Sequence, residues 1–244
     1  MMKKLLVLLL ALPALALAAS VKAPLDRAPI DVQDKASLQR GAQAFVNHCL
    51  NCHGATAMRY GRLTEIGLTE PQIRENLLFT GEKVGDPMAA AMAPAVAKAA
   101  FGVVPPDLSL IGRSRSPDWI YTYMRAFYRD PATKTGWNNS VFPNVAMPHV
   151  LWSQQGDQVM VVNQRQDPKT GDVKETRRLQ IERPGSMSPV EYDRYVADLV
   201  NFLAYVAEPN QPKRHFWGVL VLFFLAAFIV LTLLLKQEYW KDVR

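Results

Sequence analysis

Cys49-Leu50-Asn51-Cys52-His53 contains both cysteines of this 244-residue chain, with a histidine directly after the second. Two thiols separated by two residues and followed by an imidazole have the spacing of covalent haem attachment. The chemistry uses every part of it. Each thiol adds across one vinyl group of the porphyrin. The two-residue gap at a helix end brings both sulfurs to one edge of the ring, and the next side chain offers its imidazole to the iron. A structural zinc site needs four ligands, and no second Cys/His pair is present. A redox dithiol needs a preceding strand and a βαβ unit. Here Leu38, Ala42, Phe45, Val46 and Cys49 recur on one helical face. A disulfide between the two thiols would close a tiny loop and restrain little of the unfolded chain.

The two ends of the chain differ from the middle. Lys3 and Lys4 precede the apolar run Leu5 to Leu12, and small residues end at Ala16-Leu17-Ala18. That is the pattern of a secretory signal peptide over 1–18, and Pro13 makes the run too short and broken for a span. Phe216 to Leu235 is apolar and uncharged. At about 1.5 Å per residue it matches a hydrocarbon core of about 30 Å. Lys213, Arg214 and His215 precede it, and Lys236, Tyr239, Trp240, Lys241 and Arg244 follow it. The absence of a polar face argues against a buried core helix. Basic residues flank both sides, so orientation rests on the signal peptide. The expected organisation is a periplasmic haem domain over 19–208, a linker over 209–215, a single transmembrane helix over 216–235 and a cytoplasmic tail over 236–244. This places the protein in the cell inner (plasma) membrane.

The 28 basic and 22 acidic residues give a net charge of +6. Loss of Lys3 and Lys4 with the signal leaves +4. The basic residues are scattered, with no Lys/Arg-rich run, so no nucleic-acid partner is expected.

An electron-transfer haem takes a second strong axial ligand, often Met. The candidates are Met58, Met88, Met92, Met124, Met147, Met160 and Met187, together with His149. Most buried methionines are core filler. Met88 and Met92 have the spacing of one helical face, and Met124 lies in an aromatic helical stretch. Met147 sits in Phe142-Pro143-Asn144-Val145-Ala146-Met147-Pro148-His149, where the prolines exclude helix and stiffen the segment. Met147 is therefore the favoured ligand, with His149 its rival. A thioether ligand raises the reduction potential and leaves no open position for a substrate.

Along the rest of the chain, 19–36 reads as an extended lead-in. Glu70 to Phe79 reads as a short helix capped by Thr69, and Ala89 to Phe101 as an Ala-rich helix. Pro105-Pro106-Asp107-Leu108-Ser109 is a rigid turn. Asp118 to Arg129 reads as an aromatic helix capped by Ser116 or Asp118. Over 157–183, β-rich runs flank Asp167-Pro168-Lys169-Thr170-Gly171-Asp172, which predicts a surface hairpin. Ser188, Pro189 and Glu191 form a capping box ahead of the stripe Tyr192, Tyr195, Val196, Leu199, Phe202, Leu203 and Val206, and Pro209 follows that helix.

Taken together, CLNCH, PPDLSLIGRSR, DWIYTYMRAFYRDP, VFPNVAMPH and SPVEYDRYVADLVNFLAYVAEP, with one terminal span, resemble the cytochrome c1 family. The resemblance covers nearly the whole chain after the signal. It implies a mainly α, cytochrome c-like haem domain with a small β-hairpin insertion and one C-terminal transmembrane helix. It implies one covalent haem c, with Cys49 and Cys52 as anchors and His53 and Met147 as the axial pair. Arg115 would lie against a haem propionate and Pro106 near the haem edge. The electron would come from a Rieske iron–sulfur protein and leave to a soluble cytochrome c, with cytochrome b as a further partner in a dimeric bc1 complex. Residues 19–215 carry 23 basic and 20 acidic side chains, so an acidic face for a basic cytochrome c is not evident. The expected role is that of a redox subunit, with no substrate chemistry beyond electron transfer. The rival roles are a stand-alone membrane-anchored cytochrome feeding a terminal oxidase or reductase, and a haem enzyme such as a peroxidase.

Overall fold

The computed structural model describes residues 24–166 and 173–242. The expected signal peptide, the turn of the predicted hairpin at 167–172 and the last two residues of the expected tail lie outside them.

Two crossing helices form the frame. α1 spans Lys35–His48, with Asp34 accepting a hydrogen bond from the Ser37 N–H at its start. Its Leu38, Ala42, Phe45 and Val46 are buried, as their spacing predicts. The three larger ones, Leu38, Phe45 and Val46, each contribute about 2 kcal/mol through removal from water. They pack on a later helix, Pro189–Ala207, where Phe45 meets Phe202 with ring centroids 5.7 Å apart. At the crossing, the Arg40 guanidinium grips the Asp198 carboxylate through contacts of 2.6 and 2.9 Å.

After α1 the chain forms β1 (Ala55–Arg59), a 3₁₀ helix (Tyr60–Ile66), α2 (Glu70–Asn76) and β2 (Pro87–Met88), with β1 and β2 antiparallel. Thr69 caps α2 as expected, in a capping box with Gln72. α3 spans Pro94–Phe101 only. The expected helix from Ala89 does not form, because its first residues have tertiary partners. Met88 pairs with Ala55, and the Ala91 and Met92 N–H groups donate to the Leu50 and Asn51 carbonyls at 3.2 and 2.9 Å. The helix begins where Pro94 occupies a first-turn position that needs no N–H partner.

α4 (Ile111–Ser114) and α5 (Pro117–Arg125) follow, the latter capped by Ser116. The aromatic run expected to stay helical to Arg129 divides here. Phe127–Arg129 is β3, antiparallel to β4 at Trp137–Asn139. The Arg125 carbonyl accepts from Gln155 and Gln158 at 3.3 and 3.2 Å, and the Phe127 carbonyl from Gln158 at 2.7 Å. Side chains from a distant segment thus satisfy the carbonyls that a longer helix would have used.

A short α6 (Trp152–Gln155) leads into the hairpin of β5 (Gly156–Gln166) and β6 (Val173–Pro184). Its base is anchored by buried Asp157, bonded to Arg129 at 2.7 Å and paired with Arg183. α7 (Pro189–Ala207) starts with the predicted Ser188/Glu191 capping box. The expected linker over 209–215 is shorter than predicted, since α8 spans Gln211–Trp240 and uses a proline in its first turn. Glu208 braces this joint, reaching Arg113 of α4 at 3.3 Å and Arg214 of α8 at 2.5 Å. Lys213–Trp240 is long and apolar enough to cross a membrane, and none of its apolar window is buried against the body.

Candidate haem-attachment site

Cys49 caps the C-terminus of α1, and the attachment motif turns directly from it. The Cys52 and His53 N–H groups donate to the Cys49 carbonyl at 3.0 and 2.8 Å. The motif is thus wound into one turn, the local form that two sulfurs and an imidazole need to meet one ring. Both cysteines are free thiols, Cys49 buried and Cys52 half-buried. Burial pushes the Cys49 thiol up to about 12, with Cys52 adding to the effect.

The His53 Nδ1 lies 2.7 Å from the Pro106 carbonyl oxygen. A carbonyl can only accept, so Nδ1 is the protonated nitrogen and Nε2 keeps its lone pair. Burial pushes this imidazole below its ordinary range, against the opposing pull of the Pro106 bond and Asp107. The result is a neutral, oriented donor of the kind a metal takes.

The turn that carries Pro106 is clamped to the residues after His53. Leu108 N–H donates to the Gly54 carbonyl at 2.7 Å. The Asp107 carboxylate accepts from Thr56 N–H and Oγ1, both at 2.9 Å, and from Ser109 N–H at 2.8 Å. Burial alone would raise its pKa, but the bonds from Ser109 and Thr56 outweigh it and hold the carboxylate below its usual range. A side chain at Gly54 would press on this clamp, since its Cβ would sit 3.1 Å from Asp107 Oδ2. The sequence singled out PPDLS as a turn. Its work of orienting His53 through a backbone carbonyl was not visible there, because a carbonyl leaves no mark on residue identity.

Met147 lies on a second segment, where its Sδ accepts from the Tyr123 hydroxyl at 3.4 Å. Two asparagines hold that segment. Asn139 Nδ2 donates to the Tyr123 carbonyl at 2.8 Å, and its Oδ1 accepts from the Val141 and Phe142 N–H groups at 2.9 and 3.2 Å. Asn138 Oδ1 accepts from Asn144 N–H at 2.8 Å, where Asn144 takes the left-handed backbone with φ 61°. Neither asparagine is marked as a site residue by its type or spacing alone. The signal was the Gly136-Trp137-Asn138-Asn139 cluster of turn-forming and amide residues ahead of the Pro-flanked loop.

The other candidate ligands fall elsewhere. Met58, Met88 and Met124 are buried in the core. His149 is buried, stacked on Phe127 at 4.9 Å and met edge-on by Trp137 at 5.1 Å. Neither of its ring nitrogens has a hydrogen-bond partner among the described residues. Burial pushes its pKa down to about 4. Arg115 is exposed, with its guanidinium 5.1 Å from the Trp119 ring centroid and 5.9 Å from that of Phe142. The sequence-predicted residues thus fall into two local groups: Cys49, Cys52, His53 and Pro106 around the motif turn, and Met147 with the aromatic stack of Tyr123 and Trp119 that carries Arg115.

Two free thiols, a neutral imidazole with an available Nε2, and a thioether on a separate rigid segment fit a covalently held haem. With the long apolar terminal helix, they define a haem protein of electron transport with a membrane anchor. The chain belongs to the cytochrome c1 family, whose model matches residues 26–173 and 186–243. It is 46% identical to the cytochrome c1 of Allochromatium vinosum, over 96% of each chain. It is 26% identical to that of Rhodospirillum rubrum, over 86% of this chain and 83% of the relative. It is also 50% identical to a Nitrosomonas europaea protein named ammonia monooxygenase gamma subunit, over 100% of this chain and 99% of that one.

Proposed function

We propose that this chain is the electron-transfer subunit of a cytochrome bc1 complex. In this reading it accepts electrons from a Rieske iron–sulfur protein and passes them to a soluble cytochrome c. The observation that carries it is the one-turn motif of Cys49, Cys52 and His53, with Nδ1 bound to Pro106, in a chain of the cytochrome c1 family. Bound haem supplies a one-electron couple. Cys49 and Cys52 would tether it, and His53, through Nε2, and Met147 would be its iron ligands. The Pro-flanked loop of Met147 is pinned by Asn138 and Asn139, so little entropy remains to be lost on ligation. The enclosure of His149 between Phe127 and Trp137 favours Met147 over its rival. Arg115, held over Trp119, would pair with a propionate and hold up the potential by balancing its carboxylate. The haem body is periplasmic after signal cleavage, α8 anchors it, and the complex is a dimer containing cytochrome b.

The deciding experiment is purification of the full chain in mild detergent, with a pyridine haemochrome spectrum and identification of co-eluting chains. A c-type spectrum with cytochrome b and an iron–sulfur protein is the expected result. A colourless protein, or pigment stripped by acid-acetone, would overturn the haem reading. Elution alone, or with a terminal oxidase or a monooxygenase, would overturn the bc1 assignment while leaving the electron-carrier role. Met147→Leu should lower the potential sharply, and an unchanged potential would move the ligand role elsewhere.

A further inference from the structure

Tyr123 is buried, and the acceptor its hydroxyl meets is the thioether of Met147, at 3.4 Å. A buried phenol keeps a hydrogen-bond partner. A thioether sulfur has two lone pairs and seldom serves as the acceptor for a tyrosine. The pairing is also held at both ends. Trp119 lies parallel to the Tyr123 ring at 4.7 Å, and Phe127 meets it edge-on at 5.0 Å. Asn139 bonds the Tyr123 carbonyl with one side-chain atom and the start of the Met147 segment with the other. Helix and loop are thereby locked together on either side of the O–H···S contact.

We propose that Tyr123 is a positioning residue that sets the reduction potential, by donating a hydrogen bond to the Met147 sulfur lone pair not used by the iron. This rests on the reading of Met147 as the axial ligand. The O–H dipole draws electron density from the sulfur and makes it a poorer donor. A poorer donor stabilises ferric iron less than ferrous iron, so the bond holds the potential up.

The test uses the full haem-loaded chain in detergent with Tyr123→Phe and Tyr123→Leu, which remove the same hydroxyl with different shapes. Tyr128→Phe, a half-exposed phenol on β3, is the control. Haem content, the potential and the ferric sulfur-to-iron charge-transfer band are read for each. Both Tyr123 variants should keep haem and shift the reduction equilibrium toward the oxidised form by about fourfold, the size of one ordinary hydrogen bond. For one electron that is about 35 mV, at about 59 mV per tenfold. The band should move in both and stay in place in the control. A wild-type potential with an unmoved band in both variants overturns the proposal and leaves Met147 as ligand. Haem loss from both also overturns it, since the hydroxyl would then serve assembly. Absence of the band from wild-type protein overturns the ligand reading itself and this inference with it.

Discussion

Gly41 packs so closely on the Asp198 carbonyl that a Cβ at position 41 would lie 2.0 Å from that oxygen. The contact is backbone against backbone at the α1–α7 crossing, so no flexible side chain can give way. Gly41→Ala should therefore push the two helices apart and cost about 3 kcal/mol or more, the upper range of overpacking. Chemical denaturation of the purified chain measures it, and a loss below about 1 kcal/mol would mean the crossing is looser than described.

Asn139 is fully buried and its side chain makes three hydrogen bonds, one to the α5 end and two to the Met147 segment. Asn139→Ala leaves the Val141 and Phe142 N–H groups and the Tyr123 carbonyl without that partner. A loss of about 2–3 kcal/mol is expected. Thermal unfolding checks the size. A ferric spectrum showing more than one axial state would locate the damage at the loop, and a single unchanged state would argue that Asn139 does not hold it.

Asp157 joins the hairpin base to Arg129 and Arg183. Burial alone would raise its pKa, but the two guanidinium groups override that and hold it below the ordinary carboxylate range. The unfolded carboxyl titrates near pH 4. Its stabilising contribution is therefore full above about pH 4, and is lost as pH falls through the lower folded-state value. Asp157→Asn should cost about 2 kcal/mol at neutral pH, a modest figure because both arginines are partly exposed. It should also flatten the fall in stability below pH 4. Urea midpoints across that range decide the matter, and equal slopes for both proteins would contradict it.

The outer hairpin is exposed on both faces, with Val162 and Val173 open to solvent on one and the Asn163–Thr176 pair on the other. The family model leaves residues 174–185 unmatched, so much of β6 lies outside the shared pattern. Replacing 161–178 by Asn-Gly, so that Met160 and Leu179 close a two-residue turn, should change stability by no more than about 1 kcal/mol. The haem spectrum should be unchanged. A large drop in melting temperature would show that the arm supports the body.

Much of this architecture was legible from residue order. The buried stripe of α1, the Thr69 cap of α2, the capping box of α7, the hairpin and the long apolar terminal helix all follow from local periodicity or cap chemistry. The failures have a common cause. Residues 89–93 and 127–129 have helical composition, yet their backbone groups bond to Leu50, Asn51, Trp137–Asn139 and Gln158. No local pattern encodes those distant partners. At the site, Cys49, Cys52 and His53 are marked by residue type, whereas Tyr123 and Asn139 act through positions that only the fold brings together.

Glu208 grips Arg113 on the body and Arg214 on the terminal helix, across a joint of three residues. A carboxylate clasped from both sides removes the slack that a loose tether would have supplied. A haem body of the kind proposed would ride on a short, braced stalk rather than on a free tether.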